Sequence, residues 1–253
     1  LTDGALSFEG LGAKLGVTKK AQGDAMKKEA LKWSAFGLFL MVSMPVFGEI
    51  PPSTGAHSPL RIVVRVYDYA QVPRAVLARA EREAAKVFRK AGVEVQWAHC
   101  RGSKADIPDG ASCRSPMGYV DLVLKILPPS MAARASMPSN ALGFALLSPK
   151  IALGAGAYIF YEPVRDLATV EGADVHVALG HVAAHEVGHI LLGAYAHCPS
   201  GIMSSELVGK SLRAAARGGL LFTRSESERI RATVVARMAR QDTFENTTRQ
   251  GLN

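Results

Sequence analysis

Two histidines four residues apart, His185 and His189, enclose a carboxylate in the run His185-Glu186-Val187-Gly188-His189. On a helix, residues at i and i+4 leave the same face, so both imidazoles can grip one ion, and zinc suits such a nitrogen pair. Glu186 follows the first ligand and can reach a metal-bound water without ligating. Zinc lowers the pKa of that water to about 7, where a carboxylate can take its proton as general base. Downstream, Gly193 can end the helix and turn the chain back. His197 then arrives as a third ligand, followed by Cys198-Pro199-Ser200-Gly201-Ile202-Met203. The expectation is one zinc ion per chain on His185, His189 and His197, with Glu186 catalytic. The plainer alternative is a helix carrying two ordinary histidines.

These residues resemble the metzincin zinc peptidases, whose pattern is His-Glu-x-x-His-x-x-Gly-x-x-His followed by a Met-turn beneath the metal. His185, Glu186 and His189 match directly. Gly193 and His197 match with one extra residue before the glycine and another between glycine and histidine. Residues 198–203 look like the Met-turn, with Met203 as its methionine, lying close behind the third ligand. The variant resembles predicted secreted bacterial zinc-peptidase-like proteins with this longer spacing. The resemblance covers residues 176–203 and, more weakly, the strands within 60–161. It implies a single metzincin-like α+β domain with a twisted mixed sheet, and peptide or protein substrates. It also implies an extended substrate lying beside an edge strand at Phe144, Ala145, Leu146, Leu147 and Ser148.

Other residues compete for roles. His181 lies four residues before His185 and could support or replace a ligand, or be an ordinary polar residue near the helix start. Glu206 could be a carboxylate third ligand, as in the gluzincins, although Ser204-Ser205-Glu206-Leu207-Val208 lacks their helical Asn-Glu-x-x-x-Asp pattern. Tyr195 could stabilise an oxyanion or simply pack. Cys198 could approach the metal or be a small buried thiol. Met203 could be plain core.

The elements that must hold these residues are legible from periodicity. Residues 60–67 are β-branched and read as a strand. Pro73 opens a helix whose apolar face runs through Val76, Ala80, Ala84, Val87, Phe88 and Ala91, with Gly92 as its stop. Residues 94–100 and 119–127 read as further strands, giving an N-terminal parallel βαβ unit. Phe144–Ser148 and Ala157–Tyr161 read as a hairpin. A helix over about 173–192 carries the site, residues 204–216 suggest another, and Thr223-Arg224-Ser225-Glu226 has the capping-box form ahead of a last helix. The polar tail after Arg240 is expected to fray.

Composition narrows the class. Hydrophobic residues make up 48% and charged residues 21%, which excludes a mostly disordered chain. The net charge of +8 is spread along the chain, so it reads as a solvated basic surface and not as a nucleic-acid site. Residues 26–48 have a basic start, an uncharged stretch from Trp33 to Gly48 and a small residue at a plausible cleavage point, the pattern of a signal peptide. The expected organisation is an upstream extension over 1–25, a signal peptide over 26–48 and a zinc peptidase domain over 49–253. The protein would then be secreted or periplasmic with no stable membrane span, the alternative being a tether through an uncleaved segment. Export favours disulfides. Cys100 after a strand and Cys113 at the end of a Gly/Ser/Asp-rich loop are natural partners, and closing such a loop stabilises by roughly 3 kcal/mol. N-terminal sequencing of exported protein should therefore start near Glu49. Exported material that still begins upstream of Met26 would refute the cleavage.

Overall fold

Branched residues at alternate positions give β1 (Arg61–Asp68) one wholly apolar side. Ile62, Val64 and Val66 are at most 1% exposed. The computed structural model describes residues 59–100, 111–132, 141–147, 156–193, 196–205 and 209–250, all within the compact unit Gly55–Asn253. The elements after β1 are α1 (Arg74–Lys90), β2 (Glu94–Cys100), α2 (Ala111–Arg114), β3 (Asp121–Leu127), α3 (Pro129–Ala132), β4 (Gly143–Leu146) and β5 (Gly156–Phe160). Then come α4 (Tyr161–Val170), α5 (Val175–Leu192), α6 (Gly209–Ala216) and α7 (Arg224–Gln250). The expected extension and signal segment lie outside the described residues. Among the described residues, no helix is long and apolar enough to cross a membrane.

The strands form one five-stranded mixed sheet in the order β2-β1-β3-β5-β4. β1 pairs parallel with β2 and β3, β3 pairs parallel with β5, and β4 alone runs antiparallel, beside β5. The N-terminal βαβ unit and the edge hairpin of the sequence reading are thus both present. In register, Val64 faces Leu122, Leu124 faces Ala157 and Ile126 faces Ile159, so one face of three adjacent strands is a continuous apolar floor. The opposite face carries a charge into the interior. The Arg65 guanidinium pairs with Asp121 and donates to the Ser115 and Pro116 carbonyls at 2.9 and 3.0 Å. Asp121 also accepts the Gly118 N–H at 2.9 Å, which holds the turn entering β3.

α5 is the central helix. Every residue from Val177 to Leu192 is buried, because α5 packs on β3, β4 and β5 and also touches α1, α4, α6 and α7. A helix apolar on all sides belongs in such a position. α7 ties the helix ends together. Arg229 donates to the Leu192 carbonyl at 2.7 Å, Arg231 to Ala91 at 2.9 Å and Arg237 to Tyr119 at 2.9 Å. The Leu192 and Ala91 carbonyls lie at helix C-termini, where no intrahelical donor is available, and the Tyr119 carbonyl lies in the turn before β3. The capping box is in place, with the Glu226 carboxylate accepting the Thr223 N–H at 2.7 Å and the Thr223 hydroxyl accepting the Glu226 N–H at 3.3 Å. Cys100 and Cys113 are disulfide-bonded, joining the end of β2 to α2.

Several boundaries differ from the sequence reading. The edge strand runs from Gly143 to Leu146, not to Ser148. Among the described residues its pairing with β5 ends at Leu146, opposite Gly156, and Leu147 lies just past the strand. Ser148 lies outside the described residues. The short helix α4 is an addition to the sequence reading; it carries Pro163 in its first turn, where proline is tolerated. α6 begins at Gly209, later than expected. The tail after Arg240 does not fray but continues as helix to Gln250. It is anchored there by Gln241, which accepts the Tyr119 N–H at 2.6 Å, and by Phe244, edge-on to Tyr119.

The crossing of α5 over α1 is close at Gly180, where an added Cβ would lie 2.5 Å from the Ala80 carbonyl oxygen and 2.7 Å from Glu83 Cβ. Helix propensity alone predicts that Gly180→Ala stabilises by about 1 kcal/mol. The crossing reverses the sign, since overpacking costs about 1–3 kcal/mol. Urea unfolding should show a net loss, and a rise in the midpoint would contradict the close packing.

Candidate metal centre

α5 projects His185 and His189 from adjacent turns of one face, in a stretch where both are buried. Gly193 ends the helix. Its φ of 98° is open to glycine at no steric penalty, and its N–H donates to the His189 carbonyl at 2.8 Å. The chain then returns with His197, exposed, which completes a group of three histidines whose ligand atoms lie within 4.8 Å of one another. His189 Nε2 stands 3.1 Å from His185 Nε2 and 3.2 Å from His197 Nε2. This is the only such group among the described residues.

The turn that follows serves two of the three rings. The Cys198 N–H donates to the Met203 carbonyl at 3.0 Å, closing the turn directly behind His197. At its far end the Ile202 carbonyl lies 2.7 Å from His185 Nδ1. That carbonyl can only accept, so Nδ1 carries the proton and the neutral ring presents a lone pair at Nε2. The Ile202 N–H in turn donates to the Leu221 carbonyl at 2.9 Å. Gly201, at φ 79°, passes so near that carbonyl that a Cβ would sit 2.8 Å from its oxygen. Met203 is fully buried beneath α5. A Cβ on Gly188 would lie 2.8 Å from its sulfur, so the helix glycine next to His189 is what admits the methionine.

Burial favours the neutral form of the two helix rings. Burial pushes the His185 pKa down, as does the proximity of His197. Burial, then His185 and His197, push His189 down to about 4. Glu186, also buried, is pushed up to about 8 by loss of solvent. It leaves α5 toward the edge strand, where its carboxylate lies against Gly143.

The other candidates separate. His181 is buried but stands apart from the three, with Nδ1 2.8 Å from the Val177 carbonyl and Glu83 and Lys86 of α1 nearby. Its spacing from His185 placed it on nearly the same face, yet the extra turn carries it onto α1. Cys198 is a half-buried free thiol. Glu206 and Tyr195 lie outside the described residues. Two contributors escaped the sequence reading, the Ile202 carbonyl and Gly188. The glycine had a signal, since glycine inside a helix costs about 1 kcal/mol and flags a close approach. A backbone carbonyl has none.

No family model matches the chain, and no curated protein matches it. Among solved structures it is similar to a zinc-dependent peptidase from Methanocorpusculum labreanum, with 17% identity and a TM-score of 0.40 over 66% of this chain and 99% of that one. It is also similar to archaemetzincin from Methanopyrus kandleri, with 16% identity and a TM-score of 0.37 over 69% and 96%.

The shifted groups predict opposite pH responses in the metal-free chain. His189 falls from 6.5 to about 4, so its contribution is present above pH 6.5 and is lost as pH falls toward 4. Glu186 rises from 4.5 to about 8, so folded protein keeps a proton that the unfolded chain has released. Its contribution is full below pH 4.5 and is lost as pH rises through 8. Glu186→Gln removes only the second effect. In chelator-treated protein, the stability of wild type relative to Glu186→Gln should fall between pH 6.5 and 8, by up to about 1.4 kcal/mol per pH unit. A difference that does not change with pH would show that Glu186 is solvated.

Proposed function

We propose that the chain is an exported zinc-dependent endopeptidase, its peptidase domain spanning 49–253 after removal of residues 26–48. The observation that carries this reading is the meeting of three imidazole nitrogens at a helix whose residue after His185, Glu186, is a buried carboxylate set against the edge strand. A tetrahedral ion with bonds of about 2.0–2.1 Å separates its ligand nitrogens by about 3.3–3.4 Å, and His189 Nε2 lies 3.1 and 3.2 Å from the other two ring nitrogens. His185 offers an unprotonated Nε2, His189 is held neutral, and three protein nitrogens leave a fourth position for substrate or water, as in catalytic sites. The residues present therefore fit zinc.

When bound, zinc would supply Lewis acidity and a water acidified toward neutral pH. His185, His189 and His197 would hold the ion, and the Ile202 carbonyl fixes the tautomer of the first ring. Glu186 takes a proton from the attacking water on its carboxylate and passes it to the leaving amine. Its burial excludes bulk solvent from that transfer. Among the described residues β4 pairs with β5 along one side, and its other side would accept an extended peptide by strand addition. A buried carboxylate beside three ligands has no use in a purely structural zinc site, which favours an enzyme over a zinc-holding binding module.

Metal analysis and turnover on a broad peptide library test this together. Wild type should carry one zinc per chain and cleave, with activity abolished by chelation. Glu186→Gln should retain the zinc and lose about 10²–10⁴ in rate. His197→Ala should lose the metal and Glu206→Ala should keep it. Activity surviving Glu186→Gln would remove the carboxylate from the mechanism, and zinc-loaded wild type that cleaves no peptide would point to a binding module or a hydrolase of another amide.

A further inference from the structure

Gly143 opens β4, and its backbone lies outside the left-handed region that favours glycine. Conformation does not demand a glycine there, but space does. A Cβ at this position would lie 2.9 Å from Glu186 Oε1 and 3.0 Å from Glu186 Cγ. Real Cβ atoms essentially never approach heavy atoms inside 3.0 Å. The Glu186 side chain therefore rests on the bare Cα of the edge strand, in a wall where α5 packs directly on β4. Glu186 is 6% exposed, so it has little room to swing clear. The carboxylate is thus seated against the strand to which, on the reading above, a peptide substrate adds.

We propose that Gly143 is a positioning residue for Glu186: the missing side chain forms the seat of the carboxylate and sets its height relative to the backbone of β4. Its mechanistic consequence rests on the peptidase reading, because only then does the seat align base and scissile carbonyl through one strand. The contact itself does not depend on that reading.

A second reason for glycine must be separated from this one, since the same Cβ would also lie 2.6 Å from the Tyr158 carbonyl oxygen on β5. A double-mutant cycle does so. Gly143→Ala is made in wild type and in Glu186→Ala, and urea midpoints are measured on the full chain. If the seat exists, Gly143→Ala lowers the midpoint clearly more when Glu186 is present than when it is absent. Equal drops in both backgrounds, or failure of Gly143→Ala to fold in both, would assign the glycine to strand spacing and overturn the proposal. Turnover gives the second readout. A carboxylate displaced by about 1 Å can reduce rate by about 10²-fold, so Gly143→Ala should lower kcat by about 10–100-fold, with KM within about twofold and zinc content unchanged. A rise in KM with kcat intact would place the effect in strand addition and also overturn the seat. Wild type that holds no zinc or cleaves nothing would sink the peptidase reading, yet the midpoint cycle would still decide whether Gly143 seats Glu186.

Discussion

Three imidazole nitrogens face one another inside a space too small for three protons. His189 Nε2 has His185 Nε2 at 3.1 Å and His197 Nε2 at 3.2 Å, and a single ring hydrogen can serve only one of them. Lone pairs held this close repel, and protonation is no relief where burial and neighbouring rings already push the His189 pKa to about 4. A folded chain tolerates this arrangement only if the scaffold is rigid enough to impose it. α5 supplies that rigidity through burial on every side, and the turn from Cys198 to Met203 holds the return of the chain. The absent Cβ of Gly188 lets that turn lie directly under the helix.

The scaffold draws on the chain's basic residues. Arg229 and Arg231 bond the last carbonyls of α5 and the α1 terminus, and Arg65 and Arg237 bond carbonyls around the entry to β3. A guanidinium is suited to this work because its donors fork in fixed directions and it never loses its charge. Part of the +8 net charge is therefore spent on joining elements and not on a surface for acidic partners. The buried Arg65–Asp121 pair is the most committed case. Removing one partner of such a pair costs about 3–5 kcal/mol, because the other is left uncompensated.

On the proposed reading, Glu186 joins the scaffold to the chemistry. Its burial is unfavourable to a carboxylate, which is why its pKa rises to about 8 in the metal-free chain. A cation held by the neighbouring histidines would favour the charged form and oppose that rise. On the proposed reading, the carboxylate would suit the loaded site better than the metal-free one. Such a trade of stability for chemistry is common where polar groups are buried near a reaction centre.

The amino-acid sequence by itself determined the local features. Branched residues in alternation made β1, the His185–His189 spacing put two rings on one helix face, Thr223 and Glu226 capped α7, and Gly92 and Gly193 stopped their helices. Each depends on neighbours within a few residues, and backbone geometry translates such patterns directly. Cys100 and Cys113 were also legible, because a strand end and a short loop restrict where two thiols can go. Tertiary structure alone decided the rest. His181 shares its helix face with His185 at the level of spacing, but packing of α5 on α1 sends it away from the site. His197, two residues off the usual pattern, reaches the other rings only because a turn closes behind it. The tail beyond Arg240 stays helical because Tyr119 meets it. The Ile202 carbonyl and the bare Cα of Gly143 have no side-chain signature at all. Their roles arise from distances between segments far apart in the chain, which are set by the burial of α5 and not by any local preference.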